Sequence, residues 1–243
     1  MNSEIDIRKE NKQIIQEVSY MCQICNKWID IDTINILATL VNRIKNHKWE
    51  TFNKILKGGI QVSCRVKNFQ ANGLCTITIN KSNNKVYFNR DQIKPIQTKN
   101  IVCTFSKGLL DGIFEMYSKN IRIINHMGSM SEAGKYICCI ETQIITKKIK
   151  CNFCQGLLDG NYEKETMKEI KHEYRSYERK EETESISRNT ITKFLEGLLN
   201  GTFEKKVMYS KSTTKYHNDE DKIEKVNWDK NINCIYSNGD LIE

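Results

Sequence analysis

Hydrophobic residues near the start of the chain recur at helical spacing. Asp32 precedes them, where an N-cap side chain accepts hydrogen bonds from the free N–H groups of a first helical turn. A second amphipathic pattern runs from Trp49 to Leu56, and a looser one lies between Ile5 and Tyr20. These patterns predict that residues 1–57 form a small module of two or three helices. The clearest one-face stripe comprises Ile34, Leu37, Leu40, Val41 and Ile44.

From Ile60 onward the pattern changes to an alternation of apolar and polar residues, which predicts strands. Successive side chains of a strand point to opposite faces, so alternate residues share one face. We therefore expect Cys103, Cys151 and Cys234 to be buried on a common face. The triplets that carry this alternation are Ile101-Cys103-Phe105, Ile149-Cys151-Phe153 and Ile232-Cys234-Tyr236.

A short motif occurs three times in the second half of the chain, as FSKGLLDGIFE, FCQGLLDGNYE and FLEGLLNGTFE. Each copy has an aromatic residue, a first glycine, a second glycine and a second aromatic residue in the same order. The second glycine follows Asp or Asn, and such dipeptides between apolar runs favour hairpin turns because they tolerate positive φ. Each copy therefore predicts a β-hairpin. The repeat positions are Phe105, Gly108, Gly112, Phe114, Phe153, Gly156, Gly160, Tyr162, Phe194, Gly197, Gly201 and Phe203.

Weaker copies of the motif extend it over most of the chain at a spacing of about 21 residues, which is typical of a stacked array. The segment from Glu163 to Arg188 has many charges and a helical propensity, but alternation persists there and we expect strands. The leading positions of all copies are Phe69, Tyr87, Phe105, Met127, Phe153, Tyr174, Phe194, Tyr216 and Tyr236.

The motif resembles the diverged variant of the MORN-type repeats, written aromatic-x-x-Gly-x-x-x-Gly-x-aromatic, over about residues 60–243. This resemblance implies a row of β-hairpins that form one long, twisted antiparallel sheet. It also implies a binding or scaffolding role without catalysis, and contact with phospholipid has been discussed for such repeats. We therefore expect a mainly β protein with a small helical segment, divided into a cap or adaptor (1–57) and a repeat array (58–243).

The composition of the chain indicates its cellular compartment and an uneven distribution of charge. The chain has 243 residues, 39% of them hydrophobic, and a net charge of +8. The start MNSEIDIRKENK lacks the layout of a signal peptide and no apolar run is long enough to span a membrane, so we expect a cytoplasmic protein. Its single proline and many Ile, Lys and Asn residues are typical of proteins from A+T-rich genomes, such as those of some protists and large DNA viruses. The expected location is then the cytoplasm of a protist or of a virus-infected host cell.

The excess positive charge lies in the first 100 residues, which contain 16 Lys and Arg against 8 Asp and Glu. This excess is scattered along the segment. It is either a solvated basic surface or a site for anionic lipid or nucleic acid.

Few residues of the sequence indicate a catalytic or metal-binding role. Ten cysteines without a secretory signal indicate reduced thiols. Cys22 and Cys25 have zinc-ligand spacing, as do Cys151 and Cys154, but no second pair completes either site. His47, His126, His172 and His217 share no catalytic motif. We therefore predict no catalytic residue, cofactor or metal ligand.

A further candidate is the glutamate that follows the second aromatic residue in each strong copy, at Glu115, Glu163 and Glu204. These residues are either a binding row or the solvent-facing neighbours of inward aromatic side chains. The sequence as a whole predicts a non-enzymatic interaction module or scaffold with a protein partner and no small-molecule substrate. The alternatives are an anionic-surface binder that acts through residues 1–100 and an enzyme whose site is assembled only by the fold.

Overall fold

The computed structural model describes residues 28–44, 50–56, 59–82, 86–88, 91–127, 137–174, 179–217 and 220–242. Within these ranges there is one helix, α1 (Ile31–Ile44), and one antiparallel sheet of 13 strands. The strands are β1 (Thr51–Leu56), β2 (Ile60–Lys67), β3 (Gln70–Ser82), β4 (Val86–Phe88), β5 (Asp91–Ser106), β6 (Leu109–Met127), β7 (Ile137–Cys154), β8 (Leu157–Tyr174), β9 (Arg179–Leu195), β10 (Leu198–Leu199), β11 (Gly201–His217), β12 (Glu220–Ser237) and β13 (Asp240–Leu241).

Strands that follow one another in sequence lie side by side in the sheet. The order is β1-β2-β3-β5-β6-β7-β8-β9-β11-β12-β13, with the short β4 beside β5 and β10 beside β9. The expected mainly β array of antiparallel hairpins is therefore confirmed. The charged segment within 163–188 also forms strands, since β8 and β9 pair from Gly160–Phe194 to Tyr174–Lys180. Cross-strand pairing overrides the helical propensity of that segment.

The hairpins turn at the first glycine of each motif. Lys107 and Gly108 both have positive φ, 50° and 84°, as a type I′ turn requires, and the equivalent pairs Gln155-Gly156 and Glu196-Gly197 do the same. The Asp-Gly dipeptide lies in the outgoing strand, where the register shifts between Cys103 and Phe105. A Cβ atom at Gly112 would lie 2.6 Å from the Thr104 hydroxyl, so the second glycine serves this bulge and not the turn.

Each turn glycine is also tied to the preceding hairpin. The amide of Gly108 donates to the carbonyl of Ala71 at 2.9 Å, and Gly156 donates to Leu110 at 2.7 Å. The same bond joins Gly197 to Leu158 and Gly239 to Leu199, at 2.8 Å each. Because these bonds connect equivalent positions of successive hairpins, they fix how each repeat lies beside the next one in the sheet.

The weak copy at Phe69 has a different geometry from the one that the ladder of aromatics predicts. Asn68 and Phe69 form the turn themselves, with φ of 51° and 61°, and Phe69 is 53% exposed. The buried position that Phe105 occupies two residues before its turn is taken here by Val66. The assignment of Phe69 as the leading aromatic was therefore wrong. Phe69 stands at the position of the turn glycine, three residues after the buried leading position that Val66 occupies.

One face of the sheet and α1 enclose the core. A row of directly paired residues crosses the strands on this face, and its members from Cys64 to Tyr162 are buried. Leu37, Leu40 and Ile44 of α1 cover the sheet and are at most 6% exposed, so the predicted one-face stripe is confirmed. The row comprises Cys64, Cys75, Cys103, Phe114, Cys151 and Tyr162.

Two expectations from the sequence, one on burial and one on secondary structure, need correction. Cys103 and Cys151 are buried as predicted, but Cys234 is only partly buried, because it lies on β12 beyond the area that α1 and the core cover. The stretch from Thr51 to Leu56 is the strand β1 and not a helix. It pairs with β2 along its whole length, and that pairing overrides its local helical pattern. The helical prediction for Ile5–Tyr20 lies outside the described residues.

Candidate functional site

The N-terminal end of α1 lies over the middle of the sheet, where it is held by aromatic residues of the repeat. The ring of Trp28 packs edge-on against Tyr162 and Phe194, with centroids 5.3 and 5.0 Å apart. The hydroxyl of Tyr162 donates to the backbone carbonyl of Trp28 at 2.7 Å, and burial raises the pKa of this tyrosine. The second aromatic of the motif therefore positions the segment that precedes the helix.

Asp30 connects this segment to the sheet through a half-buried ion pair. Its Oδ1 accepts a hydrogen bond from Lys99 Nζ at 3.0 Å, and the side chain of Lys99 is only 5% exposed. Asp30 also accepts from the amide of Thr33 at 3.0 Å, so it is the N-cap of α1, and Asp32 lies in the first turn. Burial alone would raise the pKa of Asp30, but the hydrogen bonds from Thr33 and Lys99 and the charge of Lys99 lower it to about 2.

A cleft of about 630 Å³ opens beside this pair, between α1 and strands β5 to β11. Burial lowers the pKa of Lys164, and the nearby charges of Lys147 and Lys205 lower it further, against the opposing effect of Asp30. Lys147 also lies 3.4 Å from Asp30. The cleft is lined by two aspartates and five basic side chains, Lys99, Lys147, Lys164, Arg188 and Lys205.

The charges in this cleft are only partly neutralised. Lys99 and Lys147 contact Asp30, whereas Lys164, Arg188 and Lys205 make no ion pair with any carboxylate of the described residues. Burial and, after it, the nearby charges of Lys147 and Lys205 destabilise the charged state of Lys164 and lower its pKa. The arrangement can bind an anion. Sequence reasoning missed it because the five residues come from five different strands, and only Lys99 belongs to the basic first 100 residues.

The predicted glutamate row exists on the opposite, open face of the sheet. Glu115 and Glu163 both pair with Lys150, and Glu163 and Glu204 both pair with Ile191, so the three glutamates lie in one line across the strands. Lys150 lies 3.3 Å from Glu115. Each glutamate adjoins an inward aromatic residue and is exposed. The row is thus part of a mixed Lys and Glu surface.

Two of the four histidines meet at the far end of the sheet. His126 Nε2 lies 3.3 Å from Glu141 Oε2, and His172 Nδ1 lies 3.9 Å from the same oxygen. Burial would raise the pKa of Glu141, but hydrogen bonds from Gln143 and His126 lower it. The parts of the chain that the structure describes contain no group of three or more His, Cys, Asp or Glu residues that could hold a metal ion. Cys22 and Cys25 lie outside the described residues.

The chain matches no protein-family model, no curated protein and no solved structure in comparisons with known proteins. Within the described ranges, α1 is too short to cross a lipid bilayer.

Proposed function

We propose that this chain is a non-enzymatic interaction protein, a MORN-like repeat scaffold that binds a protein partner on the open face of its sheet. The observation that carries this proposal is an exposed apolar patch on that face. Its members lie on neighbouring strands β3, β5 and β6, between 37% and 54% exposed, and no described residue covers them. The patch comprises Leu74, Val102, Ile113 and Tyr117.

The surroundings of the patch indicate what kind of partner fits. A shallow depression of about 490 Å³ adjoins Val102 and Tyr117 and is lined by Lys148, Lys150 and three glutamates. Lys148 and Glu165 form an ion pair at 3.0 Å across the strands. Exposed apolar side chains interspersed with charges of both signs favour a protein partner over a uniformly anionic surface.

The experiment compares partner binding by the full chain with binding by two charge variants. Val102→Glu places a charge in the open-face patch, and Arg188→Glu changes the cleft on the other face. We expect a protein partner recovered from host extract, confirmed as purified protein, to lose at least about ten-fold in affinity with Val102→Glu and to bind Arg188→Glu unchanged. Equal binding by Val102→Glu and the unaltered chain would contradict the proposal. The full chain is required because α1 contributes to the core.

The basic cleft supports a second candidate function, the binding of an anionic ligand such as a phosphate-bearing lipid or nucleic acid. Three of its cations have no carboxylate partner among the described residues, and they converge on one space. We expect binding of a short single-stranded RNA or of phosphatidylserine vesicles to weaken by about ten-fold or more between about 50 and 200 mM salt. Arg188→Glu should abolish this binding, while Val102→Glu should not. Salt-independent binding, or none, would exclude this candidate.

A further inference from the structure

The described residues leave most of the outer edge of β12, the last long strand of the sheet, uncovered. The strand β13 pairs only with Tyr236 and Ser237, and the amide of Ile242 adds one bond to the carbonyl of Ile235 at 2.8 Å. From Lys225 to Cys234, no described strand lies beyond β12. Residues 223–231 are all exposed.

The outward backbone groups of this edge can be assigned. Because the carbonyl of Ile235 accepts from Ile242 on the outer side, Ile235 points its backbone N–H and C=O groups away from β11. Strands β11 and β12 pair without a register shift, so this direction alternates along β12. Such an open row of donors and acceptors is a template for another strand. The outward residues are Lys225, Asn227, Asp229, Asn231 and Asn233.

The sequence of β12 is self-complementary about Asn227. An antiparallel copy of the strand, related by a two-fold axis at Asn227, places Glu224 opposite the partner's Lys230. It also places Lys225 opposite the partner's Asp229. The symmetry repeats both pairs, so four opposite-charge pairs form along one edge. Opposite charges that face each other across antiparallel strands stabilise the pairing, and like charges oppose it.

The apolar residues of the strand fit the same register. Val226 lies opposite the partner's Trp228, and both side chains are on the face that carries α1. Val226 is 59% exposed and Trp228 is 51% exposed, and pairing would cover both. Trp228 is already oriented by stacking on Tyr209, with ring centroids 5.4 Å apart. The two copies would thus form a four-residue apolar cluster between the two Glu224–Lys230 pairs.

Neighbouring registers lose this complementarity. A two-fold axis perpendicular to the sheet keeps the α1 faces of both copies on one side of the continued sheet. Residues directly opposite each other must then point to the same face, so the axis has to pass between one residue and the same residue of the second copy. An axis at Val226 puts Glu224 opposite Trp228, and an axis at Trp228 puts Val226 opposite Lys230. Each of these arrangements separates both charge pairs and leaves one directly opposed apolar pair instead of two.

We propose that β12 pairs with β12 of a second copy of this chain, antiparallel and centred on Asn227, so that one sheet continues through a two-fold symmetric dimer. The surface buried by a single strand edge is smaller than that of a standard protein interface. We therefore expect a weak dimer, with a dissociation constant on the order of micromolar. It leaves the open-face patch and the basic cleft uncovered, since no residue of β12 lines either of them.

Sedimentation velocity of the full chain between about 5 and 200 µM tests this pairing, over the concentration range in which a micromolar dimer dissociates. The unaltered chain should shift from monomer to dimer. Glu224→Lys and Lys230→Glu should each raise the dissociation constant at least about ten-fold, because each creates two like-charge pairs. An equimolar mixture of these two variants should recover the dimer, since one chain then carries two positive side chains where the other carries two negative ones.

Lys206→Glu is the matched control, because it reverses an exposed charge on the adjacent strand β11 and should leave the dissociation constant unchanged. A chain that stays monomeric over the whole range would overturn the proposal. So would a dimer that neither edge variant weakens, or one that Lys206→Glu weakens equally. Recovery of the dimer in the mixture would show that neither variant is misfolded. Failure of the mixture to re-form dimers, with both variants folded by circular dichroism, would overturn the register.

Discussion

Asp30 is the residue on which the attachment of α1 to the sheet depends most directly. It caps the helix through Thr33 and pairs with Lys99, whose side chain is almost fully buried. Removing one partner of such a pair leaves a buried charge without compensation, which costs more than the pair itself contributes.

We expect Asp30→Asn to lower the free energy of unfolding by about 2 to 4 kcal/mol, measured by denaturant titration at pH 7. Asp32→Asn is the matched control, since Asp32 lies in the same turn without contacting Lys99, and it should cost less than about 1 kcal/mol. The double variant Asp30→Asn, Lys99→Met should recover part of the loss, because it removes both charges. Equal effects of the two single variants would contradict this account.

The same residue gives the protein an acid-sensitive contribution to stability. The pKa of Asp30 is lowered in the folded state from 3.8 to about 2, so its contribution is complete above about pH 4 and is lost as the pH falls towards 2. Since Asp30 is partly exposed, solvent screening limits this contribution to about 1 to 2 kcal/mol. The stability difference between the unaltered chain and Asp30→Asn should therefore shrink between about pH 4 and pH 2. A difference that stays constant over this range would contradict the assignment.

Phe69 occupies the second position of its turn, which is a glycine in the other motif turns that the structure describes. It has φ of 61°, in the left-handed region where a Cβ atom is unfavourable, whereas Gly108, Gly156 and Gly197 occupy the equivalent turn position. Its side chain is mostly exposed, so little packing is lost on its removal. We expect Phe69→Gly to stabilise the protein by about 1 kcal/mol in thermal unfolding. The converse change, Gly108→Phe, should destabilise by at least as much; a destabilised Phe69→Gly would show that the exposed ring packs favourably.

At the scale of elements, α1 is anchored to the sheet at its N-terminal end by Trp28. This side chain contacts Tyr162, Phe194 and Phe203, which are all second or first aromatics of the repeat motif. The motif therefore has two roles, since its glycines shape the turns and bulges and its aromatics bind the segment before the helix.

Trp28→Ala should destabilise the protein by about 3 kcal/mol, because it removes a large side chain from an aromatic cluster. Trp228→Ala provides the control, as Trp228 is 51% exposed at the sheet edge and should cost less than about 1 kcal/mol in a dilute sample. Thermal unfolding monitored by far-ultraviolet circular dichroism measures both. Similar midpoints for the two variants would show that α1 is not held by Trp28.

At the scale of the whole molecule, stability is distributed unevenly along the sheet. The buried side chains lie between Ile29 and Phe194, and none of the described residues of β11 and β12 is buried. Local opening requires little free energy where few apolar contacts are broken. The two ends of one continuous sheet should therefore open independently.

Hydrogen exchange measures this difference. Amides of β6 and β7 should exchange at least about a hundred-fold more slowly than the inward-bonded amides of β12 in a dilute sample. If β12 pairs with a second copy, protection of Asn227 and Asp229 should rise with protein concentration while that of β6 does not. Uniform protection across the sheet would contradict an uneven core.

The sequence by itself determined the strands, the hairpin array and the apolar face of α1. These features follow from local patterns, because alternation fixes which side chains share a face and a glycine pair fixes where the chain can take positive φ. The location of the turn at Gly108 rather than Gly112, and the strand at Thr51–Leu56, depended instead on bonds to residues of other strands.

Only the tertiary structure brought together the residues of the candidate sites. The five cations of the cleft are separated by up to 106 positions in sequence, between Lys99 and Lys205, and share no motif that could be seen along the chain. They converge because the regular register of long antiparallel strands places them in two adjacent lines on one face of the sheet. Lys99, Lys147 and Arg188 lie in one line, and Lys164 and Lys205 lie in the next. The same register leaves β12 at the edge, and a strand's position at an edge is a property of the assembled sheet and not of its own sequence.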